Sequence, residues 1–156
     1  MIRVKTCFVA EGVVTDRDTD QTSAFGLVEG VQAETYPLAI QKLAFFCLQA
    51  RTPGDPQRVT GEFSLTLNGR DLARQSVDID FQQLLQNRTT IRLVGLTLSE
   101  PGELVFRMAI PGHDTAEWTM QASRAAAGAL GAMGSTGPSR LYDSGQVSIS
   151  LGGALL

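Results

Sequence analysis

The sequence predicts an all-β protein, a two-sheet antiparallel β-sandwich that is Ig-like in a broad sense and carries an Ala/Gly-rich C-terminal segment. Three observations carry this. First, apolar and polar residues alternate in short runs. Phe63, Leu65 and Leu67 alternate with Glu62, Ser64 and Thr66, and Leu104, Phe106, Met108 and Ile110 with Glu103, Arg107 and Ala109. Val147, Ile149 and Leu151 alternate with Gln146, Ser148 and Ser150. Period two buries one face and wets the other. Second, turn signals such as Asn68-Gly69 and Pro101-Gly102 separate these runs at even spacing. Third, almost nothing in the chain is equipped for chemistry. There is one His and there are two distant Cys, with no phosphate loop and no nucleophile elbow.

Taken in order, Ile2–Ala10 reads as a first strand. Glu11–Gln21 is a polar connection in which Val13 and Val14 extend the sheet. Ser23–Val31 reads as one strand with Phe25, Leu27 and Val31 at its apolar positions; Gly26 and Gly30 suggest a bulge or a close backbone. Tyr36-Pro37 breaks the pattern. Leu38–Leu48 is the most apolar run, suited to a central strand buried on both faces, with a short helix over 38–43 as the competing reading. Thr52–Pro56 is a turn and Gln57–Leu67 a strand. Asn68-Gly69 then predicts a tight hairpin, because both residues tolerate positive φ. Leu72–Phe81 pairs back with Val77, Ile79 and Phe81 inward, and 81–87 reads as one helical turn. In Thr89–Leu98 the inward set shifts from Ile91 and Leu93 to Leu96 and Leu98, which predicts a β-bulge at Val94-Gly95. Glu103–Ile110 and a strand around Trp118 follow. Trp118 lies after both cysteines, so the Cys–Trp–Cys order of antibody domains is absent.

A chain of 156 residues is one ordinary domain and can bury ~70% of its unfolded surface without staples. Lysine occurs only at Lys5 and Lys42, arginine is scattered and the net charge is −3, so nucleic acid is not an expected partner. No apolar run approaches a membrane span, and Cys7–Ala10 is too short for a signal peptide. The expected location is therefore the cytoplasm. There, Cys7 and Cys47 read as reduced core thiols, with a disulfide as the alternative. The sequon Asn87-Arg88-Thr89 then has no consequence.

Three stretches carry a resemblance. The chain opens directly into the strand Val4–Ala10. A polar loop leads to Ser23–Val31, then Tyr36-Pro37 and the strand Lys42–Leu48. Later comes Leu98-Ser99-Glu100-Pro101-Gly102-Glu103-Leu104-Val105-Phe106. Together, over roughly residues 1–111, these are similar to a family of small bacterial β-sandwich proteins that form a domain of unknown function. The resemblance implies a sandwich and no catalytic residues. The Ala/Gly segment and the last strand lie outside it.

Asp16, Asp18 and Asp20 have the alternate spacing that opens a calcium loop. The rest of that loop fails, because Gln21 stands at the turn glycine and Leu27 at the bidentate glutamate. A solvated acidic loop is the expectation, with a cation site at a sandwich tip the alternative. Asp78 and Asp80 face the same way on one strand and read as its wet face rather than an acid–base pair. His113-Asp114 reads as a turn, since sequence neighbours rarely face each other as a catalytic pair does. Trp118 reads as a core residue.

The expected organisation is a sandwich over 1–121, an Ala/Gly-rich connector over 122–140 and a C-terminal strand over 141–156. That strand presents Val147, Ile149 and Leu151 to the same or a neighbouring sandwich. The expected function is a non-catalytic binding or assembly module without cofactor. Its partner is a protein or a second copy, the latter giving a homo-oligomer through the C-terminal strand. The alternatives are a structural subunit of a larger particle, such as a phage or secretion assembly, and a metal-dependent ligand-binding or enzymatic domain using Asp16, Asp18 and Asp20.

Overall fold

The alternating runs become strands of two facing sheets. The computed structural model describes residues 1–126 and the backbone of 147–150. The strands are β1 (Arg3–Thr15), β2 (Thr22–Leu27), β3 (Gly30–Ala33), β4 (Leu38–Ala50), β5 (Arg58–Leu67), β6 (Arg70–Asp80), β7 (Gln86–Leu98), β8 (Gly102–Ala109), β9 (Thr115–Arg124) and β10 (Val147–Ser150). One sheet has the order β10-β7-β4-β1-β2, the other β3-β9-β8-β5-β6. Between them β1 packs over β9 and β7 over β6. Phe45 of β4 lies at the centre, with ring centroids 5.6 Å from Phe63 and 6.4 Å from Phe106.

β4 is the central strand that its composition predicts. Leu43, Ala44, Phe45, Phe46 and Cys47 are buried in succession. Leu43, Phe45 and Cys47 face the opposite sheet, whereas Ala44 and Phe46 form a separate outer cluster with Ala10 and Val13. The hairpin at Asn68-Gly69 is also as predicted, with φ of 50° and 77° and Leu67 opposite Arg70.

The sheets are not wholly antiparallel. β3 runs parallel to β9, and β10 runs parallel to β7. The run Ser23–Val31 is two strands in different sheets, because the chain crosses between them after Leu27. Phe25 and Leu27 are consequently exposed rather than inward. Among the described residues there is no helix, either over 38–43 or over 81–87. The helical turn at 81–87 fails because Gln82 and Gln83 take φ of 47° and 68°. No register slip occurs at Val94-Gly95. Lys42 faces Val94 and Ile40 faces Leu96 in one unbroken register, while Gln41 and Gly95 both drop out of the ladder. Both strands therefore switch face together, with Gly95 at φ 72°. β9 continues to Arg124, three residues into the stretch read as connector; the remainder of that connector lies outside the described residues.

β1 does not stop at Ala10. Among the described residues it pairs with β4 from Arg3↔Ala50 to Ala10↔Ala44, and beyond that only with β2. The β1–β2 hairpin bends where Glu11 and Gly26 leave the ladder, with Gly26 at φ 63°. That backbone angle is what favours glycine there; the Glu11 carboxyl, 2.8 Å from where a side chain would begin, sits on an exposed and flexible side chain that can move aside. Past the bend the hairpin folds back over the outer face of its own sheet. Val13 packs with Ala44 and Phe46, and the tip residue Asp20 accepts a 2.8 Å hydrogen bond from Arg88. Arg88 sits opposite Leu48, back towards the start of β1, whereas a straight hairpin would carry Asp20 the other way.

Candidate functional site

The carboxylates of Asp16 and Asp20 are turned to different partners, and Asp18 enters through its backbone amide. Asp16 Oδ1 accepts from the Asp18 and Thr19 amides at 2.8 and 2.9 Å. Those amides, Thr19 first, hold the Asp16 carboxyl below its usual range. Its contribution to the loop is therefore present at neutral pH and is lost as acid protonates it below that range. Asp20 reaches away to Arg88. Among the described residues no three His, Cys, Asp or Glu side chains converge as a metal site.

Asp78 and Asp80 are engaged across the strand pair, by Thr60 at 2.9 Å and Arg58 at 2.7 Å. These same groups line a shallow depression of about 470 Å³ along β5 and β6, so its polar lining is already satisfied. His113 and Asp114 clasp the start of β1. The Ile2 amide donates to His113 Nδ1 at 3.1 Å, and the Val4 amide to Asp114 at 3.3 Å. Ile2 is fully buried. His113→Ala leaves its amide without an acceptor, and thermal melts should show a loss of about 1–3 kcal/mol. Trp118 packs against the core edge and donates its indole N–H to the Val28 carbonyl at 3.1 Å. Cys7 and Cys47 face each other across β1 and β4 as free thiols. Burial, with Cys7 adding to it, pushes the Cys47 thiol up to about 12, which makes it inert as a nucleophile. Val147 and Ile149 lie on the backbone stretch beside β7; their side chains, and all of Leu151, lie outside the described residues.

Leu84 and Leu85 are 64% and 50% exposed, yet their turn is tightly held. The Leu84 amide donates to the Phe81 carbonyl at 2.7 Å, and the Gln82 amide to Asp80 at 2.8 Å. Arg51 grips the turn from behind. Its backbone amide donates to the Leu85 carbonyl and its Nε to the Leu84 carbonyl, both at 2.9 Å. Its Nη1 donates to the Asp55 carbonyl at 3.1 Å, and the guanidinium lies 5.7 Å from the Phe81 ring. Met1 joins the same end, because its amino group contacts the Asp55 carboxylate. Two consecutive left-handed glutamines cost about 1–2 kcal/mol each, so the framework holds the leucines outward against strain. Their neighbours along the chain, Gln82, Gln83 and Gln86, are uncharged. The only sequence signal was the bare dipeptide Leu84-Leu85 in a polar stretch.

No protein-family model matches this chain, and neither does any curated protein.

Proposed function

We propose that this protein is a non-catalytic binding and assembly module whose contact surface is the apolar end formed by Leu84, Leu85 and Met1. The supporting observation is the strained, clamped turn that keeps two leucines in solvent. Exposed leucines are ordinary on floppy loops; a framework that holds them outward is not. A second copy of the chain is the partner this end suits. The chain carries a net −3, so copies repel generally. At this end the charges are internally matched, Met1 with Asp55 and Arg58 with Asp80. Three side chains are a small contact beside a standard interface of roughly 800 Å² per partner, so the association is weak and concentration-dependent.

Light scattering over a concentration series tests this. The wild type should gain mass with concentration, and Leu84→Glu with Leu85→Glu should remain a monomer. Both residues are exposed, so folding is spared. Equal mass in both proteins at every concentration would overturn the reading.

A further inference from the structure

Among the described residues, the fold-back of the β1–β2 hairpin leaves the place of a strand beside β4 unfilled. There β4 continues from Leu43 back to Leu38 paired with β7 alone, because β1 leaves it at Ala10. On its open side is a cleft of about 430 Å³. Ile40 and Leu43 line it from β4, Leu27 and Val28 from the base of the bend, and Val31 from β3. Glu11 and Lys42 stand on its two banks. Among the described residues no hydrogen bond or ion pair engages either side chain.

We propose that this cleft binds an extended peptide, which adds a strand to the open edge of β4. Over the six residues from Leu38 to Leu43, about 20 Å of strand, every second residue turns its main-chain donor and acceptor towards this edge, the others being turned to β7. The apolar floor calls for an apolar side chain at every second peptide position, since strand side chains alternate between faces. The two unpaired charges complete the specification: a basic peptide residue for Glu11 and an acidic one for Lys42. A small molecule fits worse, because the cleft is open and few polar groups converge in it. Nucleic acid fits worse still, with one lysine beside one carboxylate. The site is separate from the Leu84–Leu85 end and does not depend on it.

The test is selection from a displayed library of random dodecapeptides against the full chain, followed by titration of a labelled consensus peptide. The consensus should alternate apolar residues and carry a basic residue. Bound peptide should slow hydrogen exchange at amides of residues 40–43. Glu11→Lys and Leu27→Asp, both at exposed positions, should each weaken binding at least tenfold with an unchanged circular dichroism spectrum. Glu103→Lys makes the same charge change on the other sheet and should bind like the wild type. A consensus without alternation, binding unchanged in Glu11→Lys and Leu27→Asp, or no protection along β4 would each overturn the proposal.

Discussion

Replacing Phe45 with alanine is expected to lower stability by about 3–5 kcal/mol, the range for deleting a fully buried aromatic ring from a core that cannot collapse around the gap. Phe45 is fully buried on the central strand and touches two further buried rings from the opposite sheet. β1 and β7 flank it and hold β4 in place by paired ladders, so the backbone has little freedom to close the void. Domains of this size have about 5–15 kcal/mol in all, so the variant sits near the threshold of folding. Urea unfolding is the measurement. The midpoint should fall with the slope unchanged; a loss below about 1 kcal/mol would mean the ring is not the centre of the core.

Arg51→Ala is expected to cost about 3 kcal/mol, a fall in midpoint temperature of roughly 6–12 °C. Two effects oppose each other here. Removing a guanidinium that is 8% exposed relieves its desolvation cost. Against that, the carbonyls of Leu84 and Asp55 lose their donor and Phe81 loses its cover. Charge-assisted bonds contribute about 1.5–3 kcal/mol each, so the loss wins. Arg51→Lys should recover less than half, because an ammonium cannot span two loops as the guanidinium fork does. The same variants should weaken self-association, since the turn bearing Leu84 and Leu85 loses the side-chain part of its clamp and keeps only the backbone bond from residue 51 to the Leu85 carbonyl. A variant that is destabilised yet associates normally would separate Arg51 from the contact surface.

What the sequence discloses here is local. Phe45, Phe46, Cys47 and Leu48 read as a doubly buried strand because both faces of one run are apolar, and Asn68-Gly69 as a hairpin because both residues tolerate positive φ. The fold-back was hidden because its cause and its anchor are far apart: Gly26 makes the bend, but the contact that shows its direction joins Asp20 to Arg88 across 68 positions. A glycine alone reads equally as a bulge. The face switch at Gly95 was visible, but its partner at Gln41 was not, since a switch in one strand looks the same as a slip. In the sequence β3 merges with the preceding strand, because four residues are too few to show a change of sheet. The proposed contact surface is illegible in the sequence for a related reason. Glutamine does not announce a left-handed backbone, and Arg51 acts on a turn some thirty residues later in the chain.

Methyl NMR of leucine-labelled protein across a dilution series shows whether Leu84 and Leu85 meet a second copy. The Leu84 and Leu85 methyl signals should shift together as concentration rises, with the buried leucines Leu65, Leu67 and Leu93 unmoved. If association occurs while the signals of Leu84 and Leu85 stay fixed and those of the C-terminal leucines move, the contact surface lies on the last strand and the account given for this end of the sandwich is wrong.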